Sequence, residues 1–142
     1  MRIYELLRTK GFHVITVRPS ATVLDVVGLL EEYNLGAVVV SPDGRHVSGI
    51  VTERDIVRWL LKGTDFLNGP VSAIMTSDVQ TCTAQDSVQS LMSTMTEQRI
   101  RHLPVVDDHG RLTGIVSIGD AVKSHITQIE FERDQLEGYV SG

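Results

Sequence analysis

The sequence predicts a mixed α/β (α+β) fold of two repeats, each running strand-helix-strand-strand-helix, packed with pseudo-twofold symmetry. Three observations predict it. The segment Thr16 to Val57 lies without a gap over Thr81 to Val122, an offset of 65 residues at which 10 of 42 positions are identical, three of them in Gly-Ile-Val at 49–51 and 114–116. Self-similarity at a fixed period marks a duplicated structural unit. Within each copy, apolar runs of strand length alternate with apolar residues at helical spacing, and the switches fall at matching places. The chain has 142 residues, enough to bury about 70% of its unfolded surface. A lone unit of about 60 residues buries only about 60% and is marginal, so the halves must share a core.

Each element follows in order. MRIYELLRTKG alternates charged residues with Ile and Leu, as an N-terminal helix does. Val14 to Val17 is a β-branched strand, and after Pro19 and Ser20 the positions Val23, Val26, Val27 and Leu30 recur at helical spacing. Ala37 to Val40 is an apolar run too short for a helix, closed by the turn Ser-Pro-Asp-Gly at 41–44, and His46 to Val51 returns at hairpin distance. Ile56, Val57, Leu60 and Leu61 form the stripe of a closing helix, and Gly63 to Pro70 reads as a short polar linker. The second copy repeats the series with Val88, Leu91, Met92 and Met95 on its helix, Leu103 to Val106 and Leu112 to Val116 on strands, and Ala121 and Val122 opening the last helix. In the tail, Ile126, Ile129, Leu136 and Val140 keep a heptad seam, with Arg133 in the missing place. That seam packs either on its own domain or on a second copy, and Trp59, Leu60 and Leu61 are either core or dimer surface. The division expected is 1–66 for the first helix and first repeat, 67–125 for the second repeat, and 126–142 for a C-terminal helix and dimer contact.

Composition removes several function classes. No apolar run approaches the ~18 residues of a membrane span and the N-terminus lacks a signal-type apolar region, so the chain is read as cytoplasmic. The single cysteine, Cys82, forms neither an intrachain disulfide nor a thiolate metal cluster. A net charge of −5 argues against a nucleic-acid surface and requires any anionic ligand to meet a local basic cluster. No G-x-x-x-x-G-K-[ST], G-x-G-x-x-G or G-x-S-x-G occurs, and the five histidines show no H-E-x-x-H spacing. No catalytic residue and no metal ligand is assigned.

What recurs is Thr52-Glu-Arg-Asp55 and Ser117-Ile-Gly-Asp120, each directly after Gly-Ile-Val. One reading is a capping box, in which the hydroxyl caps the helix start and the carboxylate three residues on answers a backbone N–H. The other is a ligand grip, since a strand-to-helix junction aims free N–H groups and a positive dipole end outward, and a carboxylate there accepts both hydroxyls of a ribose. The two are compatible. Arg99, Arg101 and His102 put three basic or ionisable groups in four positions. They are either solvated side chains and a satisfied histidine, or a phosphate-binding cluster.

The runs G-I-V-T-E-R-D at 49–55, G-I-V-S-I-G-D at 114–120 and R-H-L-P-V-V at 101–106 resemble the cystathionine-beta-synthase (CBS) domain, in the tandem pair called a Bateman module. Nearly the whole chain takes part, and it is similar to small stand-alone bacterial CBS pairs. The resemblance implies a non-enzymatic regulatory module that senses adenosine-containing ligands (AMP, ADP, ATP, S-adenosylmethionine or NAD), commonly as a homodimer signalling to a downstream protein. It implies ribose contacts at Asp120 and Asp55, hydroxyl contacts to ribose or phosphate at Ser117 and Thr52, and phosphate contacts at Arg101 and His102, helped by Lys10, in the Asp120 cleft. There His13, Ile15, Leu35 and Gly36 would line the adenine pocket. Asp78, Gln80 and Ile100 would do so beside Asp55, where Arg54 is the main candidate cation. Because Gly36 and Ala37 stand where the second copy has Arg101 and His102, the Asp120 cleft is expected to be the tighter one. The alternative is a CBS pair kept as a ligand-free structural or protein-protein adaptor.

Overall fold

The computed structural model describes residues 1–141. Helix α1 (Ile3–Lys10) precedes the first repeat, which comprises β1 (Thr16–Val17), α2 (Val23–Glu32), β2 (Ala37–Val40), β3 (Gly49–Thr52) and α3 (Glu53–Leu60). The second comprises α4 (Val88–Gln98), β4 (His102–Val106), β5 (Leu112–Ser117) and α5 (Ile118–Ser141). In the first sheet β1 pairs in parallel with β2, and β2 pairs antiparallel with β3, Val38 opposite Val51. The second repeat copies this: β4 and β5 are antiparallel, and Cys82 bridges Val105 in parallel, where 65 residues earlier Val17 bridges Val40.

Apolar burial decides which face of each helix turns inward. Val23 and Val26 of α2 are fully buried, as are Val38, Val39 and Val40 of β2, and Val88, Leu91 and Met95 of α4 fill the equivalent place in the second core. Two hairpin tips join the halves, His46 bridging Arg111, with the Leu112 N–H donating to the Arg45 carbonyl at 2.7 Å.

Three expectations are revised by packing. Chain order groups α1 with the first repeat, yet its buried residues Ile3, Leu6 and Leu7 lie in the second core with Val88, Leu103 and Val116, and the Ile3 N–H donates to the Asp86 carbonyl. The supposed polar linker is a structured arm. Asp65–Asn68 forms a short 3-10 helix, and Phe66, Leu67, Val71, Ile74 and Met75 pack into the first core, where the Val71 N–H donates to the Ala21 carbonyl at 2.7 Å. The repeats thus exchange arms, each core being finished by the segment that precedes the other repeat. Finally, the closing helix of the second repeat and the tail are one continuous helix, because no proline interrupts residues 118–141.

The stripe assigned to α3 divides. Ile56 is buried and Trp59 packs on the first core beside Phe66, whereas Val57, Leu60 and Leu61 are exposed. Along α5, Ile126, Ile129 and Leu136 are also exposed, and the side chain of Val140 lies outside the described residues.

Candidate functional site

Both strand-to-helix junctions form complete capping boxes. The Asp55 N–H donates to Thr52 Oγ1 at 3.1 Å, and the Thr52 N–H donates to Asp55 Oδ2 at 3.0 Å. At the second junction the Asp120 N–H donates to Ser117 Oγ at 3.1 Å and the Ser117 N–H to Asp120 Oδ2 at 2.9 Å. In each case the cap engages Oδ2, and a carboxylate has a second oxygen able to accept. The cap alone does not make a site. Thr22 and Asp25 make the same pair of bonds at the start of α2 and line neither cleft.

What surrounds each junction differs. The Asp55 cleft, about 150 Å³, is lined by Thr52, Glu53, Arg54, Asp55 and Arg58 from the first repeat, with Arg99, Ile100, Arg101 and His102 from the second and Gly36 between them. Among the described residues none of its four arginines is paired with a carboxylate. The Asp120 cleft, about 260 Å³, is lined by Glu5, Leu6, Thr9 and Lys10 of α1 and by Asp120, Lys123, Ser124 and Thr127 of α5. There Lys10 Nζ donates to Asp120 Oδ2 at 2.5 Å and to the Ile115 carbonyl at 2.7 Å. Burial pushes the Asp120 carboxyl up, but bonds from Lys10 and the Ser117 N–H outweigh it and hold the group below its ordinary value.

His102 stands at the boundary of the two. A Cβ built on Gly36 would lie 3.1 Å from both Cε1 and Nε2 of its ring, so glycine at 36 is what admits the imidazole. Burial lowers its pKa and Lys10 lowers it further, against smaller upward pulls from Asp120 and Glu53, so the ring is neutral near pH 7. Its Nδ1 is buried without a hydrogen-bond partner.

The structure therefore redistributes the residues assigned from sequence. Thr52, Asp55, Arg54 and Ile100 meet in one cleft as expected, and Lys10 meets Asp120. Arg101, His102 and Gly36 were assigned to the Asp120 cleft but line the Asp55 cleft instead. The physical reason is the docking: the Arg101 carbonyl is held by the Ile118 N–H of its own repeat at 2.8 Å, and this stretch of the second repeat lines a cleft together with the first repeat's junction. The shortage of cations expected at Asp55 is thereby reversed. His13 is exposed and Ile15 half-buried, and neither lines the Asp120 cleft, because β1 begins only at Thr16 and α1 already covers that side of Asp120. Leu35 packs on the first core, Gln80 is exposed, and Asp78 lines a separate hollow of about 300 Å³ with His46 and Val47. Arg58 and Lys123 were missed. Each lies three residues after its junction's acid, a helical spacing that puts it on the same face.

Two duplicated halves that close polar clefts on each other's strand-to-helix junctions define a tandem-repeat ligand-binding module. The chain belongs to the CBS domain family, whose pattern it matches at residues 4–62 and again at 71–126. It is 40% identical to a CBS-domain-containing protein of known structure from Agrobacterium tumefaciens, covering 88% of this chain and 99% of that one with a TM-score of 0.84. A CBS domain protein from Pyrobaculum aerophilum, solved in complex with AMP, is 30% identical, with coverage of 84% and 89% and a TM-score of 0.76. A mitochondrial CBS domain-containing protein of Arabidopsis thaliana is 37% identical over 126 residues, which is 85% of this chain and 61% of the plant protein.

Among the described residues no three His, Cys, Asp or Glu side chains converge as metal ligands, and no helix is long and apolar enough to cross a membrane. Cys82 is buried, and burial with the nearby Asp86 charge pushes its thiol up to about 12, which leaves no thiolate for chemistry.

Proposed function

We propose that this protein is a cytoplasmic, non-enzymatic regulatory module that binds adenosine-containing ligands between its two repeats. The observation that carries this reading is the Asp55 cleft. A capped carboxylate with an oxygen to spare faces four arginines without carboxylate partners, and the second repeat supplies half of them. A ribose diol on Asp55 and phosphate on the guanidiniums use each group for what it does best, since Arg grips phosphate bidentately. The AMP bound by the Pyrobaculum relative supports the same ligand class. In the second cleft Asp120, bonded through Oδ2, plays the equivalent part, whereas Ser117 caps the helix without lining the cleft, contrary to its assignment from sequence. Because the ligand touches both halves, it shifts their relative orientation to the extent that it binds one arrangement more tightly. Both cavities are smaller than the ~300 Å³ lower bound usual for ligand pockets, so binding leaves the nucleotide partly in solvent or opens the cleft.

A second reading, a ligand-free adaptor, is favoured by one observation: Lys10 already pairs with Oδ2 of Asp120, so the charge of that carboxylate is answered within the chain. Thermal melting with AMP, ADP, ATP, NAD and S-adenosylmethionine separates the two. A ligand at 100 times its Kd adds about 2.7 kcal/mol; unchanged melting with all five would favour the adaptor. In either reading we assign the exposed Ile126, Ile129 and Leu136 seam of α5 to a homodimer contact, which sedimentation showing only a 15.7 kDa species would remove.

A further inference from the structure

We propose that the Asp55 cleft is selective for phosphate number, taking an adenosine ligand that carries a chain of two or more phosphates in preference to a monophosphate. This rests on the nucleotide-binding reading above and names the ligand class within it. Three features of the cleft carry it.

The first is charge. The lining holds four guanidiniums against two carboxylates, Glu53 and Asp55, in a protein whose net charge is −5. Ten of the thirteen basic residues are arginines, and four of those ten meet here. Among the described residues, Arg54, Arg58, Arg99 and Arg101 neither pair with a carboxylate nor donate a side-chain hydrogen bond. The two carboxylates of the lining balance only part of that charge.

The second is spacing. Arg54 and Arg58 lie on one face of α3 four residues apart, about 6 Å along the helix. On the facing wall Arg99 and Arg101 are two residues apart, at most about 7 Å along the backbone. Cations on two walls over that length outreach a single phosphate group. They match a short phosphate chain running outward from a ribose held at Asp55.

The third comes from comparing the repeats. Arg99 ends α4 in the left-handed region, with φ of 55°, and 65 residues earlier Asn34 adopts the same conformation with φ of 53°. Asparagine tolerates that backbone better than arginine does. The second repeat therefore carries a costlier residue at the position, and that residue lines the cleft. In the Asp120 cleft, two lysines face two carboxylates, Glu5 and Asp120, and Lys10 is already bonded to one of them. That cleft lacks the surplus charge a polyphosphate needs.

Isothermal titration of the full chain with AMP, ADP and ATP, without magnesium and at low and high salt, tests the proposal. ADP and ATP are expected to bind at least about tenfold tighter than AMP, the worth of one added charge-assisted contact, with the margin shrinking as salt screens it. The Arg58→Gln/Arg99→Gln variant is expected to bind ATP and AMP within about twofold of each other. Arg58→Gln alone, at an exposed position, serves if the double variant melts below the assay temperature. AMP binding as tightly as ATP, or a full ATP preference surviving in the variants, overturns the polyphosphate assignment and leaves the nucleotide reading standing. No saturable binding by any of the three overturns the polyphosphate assignment, and the same result with NAD and S-adenosylmethionine overturns the nucleotide reading as well.

Discussion

The two junctions are copies at the level of the backbone and opposites at the level of charge. Each has a hydroxyl, a carboxylate three residues on, and two reciprocal hydrogen bonds of 2.9–3.1 Å. Yet among the described residues one faces four arginines without carboxylate partners, while the acid of the other is paired with an α1 lysine. Duplication has preserved the device that starts a helix, and the residues brought in by the opposite half have diverged. A motif repeated in sequence is therefore weak grounds for expecting two equal sites. What distinguishes them lies in residues from the other half.

The sharpest way to break the apparent equivalence of the repeats is at their shared glycine. A Cβ on Gly49 would lie 2.9 Å from the Thr76 carbonyl and closer still to Met75, whereas one on Gly114 would meet only the ends of Leu7 at 3.0–3.1 Å. Backbone cannot yield as a leucine terminus can. Gly49→Ala is expected to cost about 3 kcal/mol and Gly114→Ala about 1 kcal/mol, read from urea midpoints at constant m; equal losses would mean that the arms pack alike.

Next in size are the acids. Asp55→Ala and Asp120→Ala should each lose about 1 kcal/mol of stability, the value of a cap. Only Asp55→Ala is expected to weaken ATP binding, by at least about tenfold or ~1.4 kcal/mol. Parallel calorimetry of the two variants checks this, and an equal loss of affinity in both would restore the symmetry of the clefts.

A smaller effect separates the clefts by acidity. Asp120 is held below its ordinary pKa, so in the folded state it releases its proton more readily than in the unfolded chain. Its contribution to stability is full above about pH 4 and disappears as pH falls through the depressed folded value. Lys10→Met should reduce that acid-range contribution. The pair is partly exposed, so the change at pH 6 is expected to be 1 kcal/mol or less, on the order of a surface ion pair. Denaturation curves from pH 3 to 7 measure it, and an unchanged pH profile would show that the bond does not persist in solution.

The smallest expected change has the opposite sign. Arg99→Asn places in the second repeat the residue that the first uses in the same left-handed position. It should raise stability by a few tenths of a kcal/mol, up to about 1 kcal/mol, while lowering ATP affinity. A loss of both would mean that Arg99 stabilises the fold directly.

These contrasts follow the line between what the sequence made legible and what it did not. Helix starts could be read because a cap is local: Thr52 and Asp55 are three residues apart and need no other element to bond. The run Ala37 to Val40 was legible for a related reason, since four consecutive apolar residues buried on both faces leave little choice but a central strand. The placement of Arg101 and His102 was not, because it depends on how the halves dock. Nor was the role of residues 63–75, whose two glycines and a proline look like a tether until Val71 and Ile74 find the first core. Arg58 was overlooked although its helical register with Asp55 was visible, because the duplicated motif ended at the acid.

The exchange of arms bears on how the chain comes to be made. Helix α1 is synthesised before the strands it packs against, β4 and β5, which are about a hundred residues further on. It must wait in a partly folded chain until they are synthesised, and such distant partners slow the search for the native topology. Because each core also borrows from its neighbour's leading segment, cutting the gene at the repeat boundary would give two fragments each missing its own lid. Unfolding should accordingly be a single cooperative event across the whole molecule, with both halves lost at one temperature.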